Sequence, residues 1–171
     1  MTLDVPAPSQ AAGLEGDEAL LSALWPTAYR IAWLILRDHM AAEDVAQESC
    51  VRAVLKRRFL RDAEAMHGWF RTLVTNLAIS ARRRIDRRSR RDAAVVRDER
   101  SAERDVSGEL DLADAIAQLD DELRLPVVLV YFGGFTSVDV ARKLGIAPST
   151  VRCRLIAARN LLRPLLECSH A

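Results

Sequence analysis

Between Asp86 and Gly108 the sequence reads DRRSRRDAAVVRDERSAERDVSG, and apolar periodicity disappears while both charge signs mix. A stretch of this kind has no face to bury, so it reads as a flexible or only locally helical linker. It splits the 171 residues into two blocks, each expected to carry its own core. On either side Ala, Leu and Arg dominate, aromatics are few, and β-branched alternation is nearly absent. That composition favours helix almost everywhere. The expected fold is therefore all-α: two small helical domains, residues 20–85 and 111–168, joined by a flexible linker at 86–110.

In the first block LLSALWPTAYRIAWLILRDHM is too densely apolar for a solvent-facing helix and reads as a core helix. No apolar run is expected to reach the roughly 20 residues that cross a bilayer, and the N-terminus lacks the basic and apolar regions of a signal peptide. A cytoplasmic protein without membrane insertion is expected. The next helix, AAEDVAQESCVRAVLKRR, places Ala46, Ser49, Cys50, Ala53 and Val54 on one face. Asp44, Gln47, Glu48, Val51 and Leu55 share the opposite face, where carboxylates beside exposed aliphatics suit a partner protein. Glu43, Asp44 and Glu48 equally complement the positive end of the helix dipole.

A third helix, AEAMHGWFRTLVTNLAISARRRIDRR, carries Trp69 and Phe70 and ends in arginines. Both aromatics suit core packing. Arginines near a helix C-terminus face its negative end, but Arg82, Arg83, Arg84, Arg87, Arg88, Arg90 and Arg91 exceed what capping uses. Such density after an aromatic-bearing helix fits phosphate neutralisation and stacking on unpaired bases.

The second block reads as helices at Asp111–Leu119 and Asp120–Phe132, with Pro126 implying a kink or a late start. It ends in TSVDVARKLGIAPSTVRCRLIAAR. There Thr136 can cap a helix with Asp139 three positions on, Gly145 permits a left-handed turn, and Pro148 fits a first helical turn. This is the grammar of a helix-turn-helix. Val151, Leu155, Ala158 and Leu162 fall on one face of the last helix, and Ser149, Arg152, Cys153, Ile156 and Asn160 on the other. Hydroxyl, guanidinium and amide groups so placed suit the edges of bases in a major groove.

Catalysis and cofactors find no support. His39, His67 and His170 are dispersed, no phosphate-binding glycine loop or nucleophile motif occurs, and Cys50, Cys153 and Cys168 show no metal-ligand spacing. No enzyme activity, cofactor or metal is expected.

Taken together, these motifs resemble the extracytoplasmic-function (ECF) group of the sigma-70 family, the specificity subunits of bacterial RNA polymerase. The resemblance covers about Leu20 to Leu166, in the order region 2, linker, region 4. AAEDVAQESCVRA is similar to the region 2 helix that binds the polymerase clamp, which implies that Asp44, Gln47, Glu48, Val51 and Leu55 contact core polymerase. GWFRTLVTNLAISARRR is similar to the family's promoter-melting helix, although Ser80 stands where Asp is common. The resemblance implies that Trp69, Asn76, Arg82, Arg83 and Arg84 serve the −10 element, with Phe59 and Arg61 in the loop that captures a flipped base. The final helix resembles the reader of the −35 element, which implies contacts from Ser149, Thr150, Arg152, Cys153, Arg154, Ile156, Arg159 and Asn160. Ser149, Cys153 and Ala157 replace the family's usual Gly, Ser and Arg.

The implied partners are core RNA polymerase, promoter DNA and an anti-sigma factor. Two tethered contacts raise effective concentration, so each domain alone is expected to bind weakly and the free protein to bind DNA poorly. Two other readings stay open at this point: a stand-alone helix-turn-helix regulator with its own dimerisation surface, and a sigma mimic that sequesters an anti-sigma factor.

Overall fold

A computed structural model describes residues 9–56, 63–92 and 112–168, and every regular element among them is helical. Helix α1 spans Ser9–Leu36, α2 His39–Lys56 and α3 Ala63–Asp92. The second block contributes α4 (Leu112–Ala117), α5 (Asp121–Val127), a π-helical turn (Val128–Phe132), α6 (Ser137–Leu144) and α7 (Pro148–Cys168).

Helix α1 ends where Arg37 takes a left-handed conformation, φ 54°. The Asp38 side chain then accepts from the Ala41 N–H at 3.0 Å and starts α2. The segment Asp17–Leu36 is long and apolar enough, by length and composition, to cross a membrane. That corrects the expectation that no such run occurs: its mean hydropathy of 1.4 survives a few interspersed charges. In this fold Leu24, Ala28, Ile31, Ala32, Leu34 and Ile35 are buried, and α1 packs on both α2 and α3.

Helix α2 buries Ala46, Ser49, Cys50 and Ala53 as the 3.6-residue period requires. Ser49 returns its hydroxyl proton to the Val45 carbonyl at 2.7 Å, which removes the cost of burying it. Burial pushes the Cys50 thiol up, so it behaves as a small apolar side chain. Phe70 is fully buried, a contribution of about 1.5–3 kcal/mol. Trp69 is only partly buried at the edge of the same cluster.

The described residues bear on the linker region at two points. Helix α3 runs through Arg87 and Arg88 to Asp92, so the first residues assigned to the linker are helical. Arginine is a good helix former, and one helix already under way extends at little cost. The rest of the linker lies outside the described residues. The blocks also do not keep separate cores. Ala115, Ile116, Leu119, Val127, Val128, Ala158 and Leu162 form one buried cluster with the side chains of α1, α2 and α3. A smaller cluster joins Ile79 of α3 to Leu129, Val140, Ala141 and Val151. Short helices such as α4 and α5 have too little apolar face for a core of their own and complete it against the neighbouring block.

Pro126 lies inside α5 and offers no N–H to the chain one turn before it. The helix then widens: Gly133 N–H reaches the Val128 carbonyl at 3.0 Å, closing the π turn. Thr136 caps α6 as expected. Its hydroxyl accepts from the Asp139 N–H at 3.2 Å and donates to Asp139 Oδ2 at 2.6 Å. Gly145 ends α6 at φ 69°, a conformation that glycine adopts without strain.

Candidate nucleic-acid and polymerase interface

On α2 the outward stripe is present as a surface. Asp44, Gln47 and Glu48 are exposed, and so are the aliphatic side chains of Val51 (54%) and Leu55 (68%). Glu48 holds Arg52 at 2.5 Å, one turn away. Beside this stripe an open groove of about 570 Å³ runs between α2 and the C-terminal half of α3. Asp44 and Glu48 form one wall, and Arg84, Arg87 and Arg88 the other.

The arginines of α3 do not make one patch. Successive helical residues point about 100° apart, and Arg82, Arg83 and Arg84 diverge accordingly. Arg84 turns to the α2 groove. Arg83 donates to the Lys143 carbonyl at 2.7 Å. Arg82 is drawn inward: it donates to the Ile35 carbonyl at 2.8 Å, capping the C-terminus of α1, and pairs with Asp121. Asn76 is exposed, and its Oδ1 accepts from Lys143 Nζ at 2.6 Å. Phe59 and Arg61 lie outside the described residues.

Sequence reasoning missed the residue that ties Arg82 into the fold. Arg124 is 5% exposed and donates to the Leu34 carbonyl at 2.9 Å, to the Leu119 carbonyl at 2.7 Å, and to Asp121. Burial lowers its pKa, an effect the charge of Asp121 opposes. Burial alone would raise the Asp121 carboxyl, but the hydrogen bond from Arg82 and the charges of Arg124 and Arg82 outweigh it and hold the group below the usual carboxylate range. The sequence does not mark Arg124, because its burial depends on the Leu34 carbonyl of α1, ninety positions away, as well as on the Leu119 carbonyl in the turn after α4.

On α7 the helical period works as read. Val151, Ala158 and Leu162 are buried and Leu155 is half-buried. Ser149, Arg152, Cys153, Ile156 and Asn160 are exposed, with Thr150 half-buried. Two arginines of the set are partly committed within the block. Arg154 pairs with Glu122 at 2.7 Å, and Arg159 donates to the Tyr131 hydroxyl at 3.0 Å. Arg152 and Asn160 are therefore the guanidinium and amide displayed most freely to an approaching duplex.

Two family models match the chain: Sigma-70 region 2 over residues 20–88, and Sigma-70, region 4 over residues 109–162. The chain is 33% identical over 166 residues to the ECF RNA polymerase sigma factor SigL of Mycobacterium tuberculosis, an alignment spanning 88% of this chain and 91% of SigL. The chain belongs to the ECF sigma factors of RNA polymerase. The sigma factor SigM of Mycobacterium tuberculosis is a further relative of this ECF protein, 29% identical over 81% of the chain and 70% of SigM. Among solved structures, the sigma factor RpoE in complex with the anti-sigma factor NepR from Bartonella quintana matches with a TM-score of 0.57 at 25% identity. That match covers 88% of this ECF sigma factor and 96% of RpoE. The two family matches follow the order of the two helical blocks, with α1 to α3 in the first and α4 to α7 in the second.

Proposed function

We propose that this sigma factor binds core RNA polymerase, recognises the −10 and −35 elements of its promoters and supports strand opening. The chain performs no bond chemistry in this reading: polymerase makes the transcript, and the sigma factor supplies contacts. Residues 20–85 take the polymerase and the −10 element, residues 111–168 take the −35 element, and the intervening residues connect them. The observation that carries the proposal is the exposure of Arg152 and Asn160 on a capped helix-turn-helix, on the same chain as a matched region 2.

Each surface suits its assigned partner for a physical reason. Asp44, Gln47 and Glu48 offer charge to a basic surface, and Val51 and Leu55 supply apolar area that water otherwise covers. Ser149, Thr150, Arg152, Cys153, Ile156 and Asn160 line the outer part of α7, where arginine can pair with guanine or phosphate. Arg154 and Arg159 reach DNA in this reading only by leaving Glu122 and Tyr131. Trp69, Asn76, Arg83 and Arg84 are assigned to the opened strand, together with Phe59 and Arg61. Arg82 joins that set by releasing the Ile35 carbonyl and Asp121.

An anti-sigma factor is the expected regulator, as in the RpoE–NepR complex. The working compartment is that of RNA polymerase, the cytoplasm, and α1 serves as a core helix and not as an anchor. The region 2 match leaves the stand-alone regulator without support. Reconstitution tests the proposal: purified chain added to core polymerase should give transcripts with defined start sites on genomic DNA fragments. Core polymerase that gains no start-site selection from the chain would overturn it.

A further inference from the structure

Glu122 belongs to none of the proposed contact surfaces, yet its carboxylate reaches from α5 to the DNA-reading helix. Its Oε2 accepts from Arg154 Nη2 at 2.7 Å, across thirty-two positions of sequence. The Glu122 side chain is 75% exposed and that of Arg154 only 24%. A carboxylate therefore stands at the surface beside a more enclosed guanidinium. Any phosphate that approaches Arg154 meets the negative charge of Glu122 as well.

The arginines of α7 are held in different ways. Arg152 is exposed, Arg159 donates to the Tyr131 hydroxyl at 3.0 Å, and Arg154 donates to a carboxylate. A neutral hydroxyl orients a guanidinium and leaves its charge in place, whereas a carboxylate cancels it. A cancelled arginine displaces no counterion from DNA, so it adds nothing to the salt-dependent, sequence-independent part of duplex binding. To contact a phosphate Arg154 must give up Glu122, and Glu122 is then left close to a backbone that repels it.

We infer that Glu122 limits the affinity of the helix-turn-helix for duplex DNA. It keeps Arg154 neutralised in every encounter too weak to break the pair, and weakens every encounter that breaks it. Arg154 acts here at the −35 element, as proposed above, and the inference rests on that role. An exposed ion pair is weak, so the limit is a modest one. It suits a promoter site divided between two tethered blocks, where effective concentration multiplies contacts that are weak singly. A reading helix with Arg154 unpaired would hold duplex DNA more firmly without polymerase. Glu122 thus sets affinity through Arg154 and touches no DNA itself.

The test measures binding of the full chain to a fluorescein-labelled duplex of mixed sequence between about 50 and 200 mM salt. Glu122→Gln keeps the size and hydrogen-bonding reach of the side chain and removes its charge, and Glu122→Ala removes both. Each should bind about fivefold tighter at the low-salt end, the scale of one exposed ion pair. The plot of log affinity against log salt should steepen by about 0.9, the share of one more neutralised phosphate. Combining Glu122→Gln with Arg154→Ala should return the slope to that of the wild type. Unchanged or weaker binding by whichever single variants retain wild-type helicity would overturn the inference, since a residue that merely positions Arg154 gives that result. A gain that persists in the double variant would overturn it too, because net charge alone then accounts for the effect. Wild-type chain assayed with core polymerase separates the two levels: if it directs start-site selection while the variants bind no tighter, the role of Glu122 is wrong and the proposed function stands. If it directs none, the proposed function fails and the role of Glu122 fails with it.

Discussion

Lys143 Nζ lies 2.6 Å from Asn76 Oδ1, joining the first helix of the helix-turn-helix to the central face of α3. Sixty-seven positions separate the two residues in sequence. The contact links a residue of the DNA-reading block to one assigned to the opened strand. It makes the two surfaces of the sigma factor parts of one closed arrangement, held at the opposite edge by Arg82, Asp121 and Arg124.

Arg124 is the most demanding residue of that junction. Replacing it by Leu leaves the carbonyls of Leu34 and Leu119 without this donor, and Asp121 without its more buried partner. The expected loss is about 2–4 kcal/mol, since a hydrogen bond to a charged group and an abandoned buried acceptor each count. For a chain of this size that corresponds to a midpoint lower by roughly 5–15 °C, read by circular dichroism. A shift within the error of the scan would mean that Arg124 is solvated in solution.

Asp121 gives the junction an acid sensitivity. Its folded pKa lies below the ordinary carboxylate value, so its stabilisation is complete above the unfolded value of about 4. It is lost as pH falls through the lower folded value, because the unfolded chain then binds more protons than the folded one. The midpoint of Asp121→Asn should therefore fall less steeply than that of the wild type as pH drops below about 4. Parallel curves would remove Asp121 from the account.

The helix-turn-helix was legible in the sequence because its rules are local. Thr136, Gly145 and Pro148 act within a few residues of themselves, and the inward positions Val140, Ala141, Val151, Ala158 and Leu162 follow from the helical period alone. The outward α2 stripe was legible for the same reason. Density misled where direction mattered: Arg82, Arg83 and Arg84 read as one basic cluster, yet consecutive side chains fan out around a helix and reach three different neighbours. Arg71 and Lys143 gave no local signal, since their partners are backbone carbonyls and an amide sixty or more positions away, and for Arg124 the Leu34 carbonyl lies ninety positions away.

Arg152 is exposed and lies on the outward face of α7. Arg152→Ala should reduce transcription from promoters with an intact upstream element by about tenfold, the range of one lost arginine–base or arginine–phosphate contact. Promoters with that element scrambled should respond little. Equal loss on both would assign Arg152 to folding or to polymerase binding.

Glu48 carries half of an i,i+4 pair with Arg52, and the pair is worth only about 0.3–0.5 kcal/mol. Glu48→Lys should therefore leave the melting midpoint nearly unchanged while abolishing co-elution with core polymerase. Retained co-elution would move the polymerase contact away from the α2 stripe.

The most direct measurement is a footprint of promoter DNA with the chain alone, with core polymerase alone, and with both together. The account predicts protection of two separated elements only when both are present, with Arg152→Ala losing the upstream one. Firm protection of a single site by the chain alone, unaffected by polymerase, would contradict it.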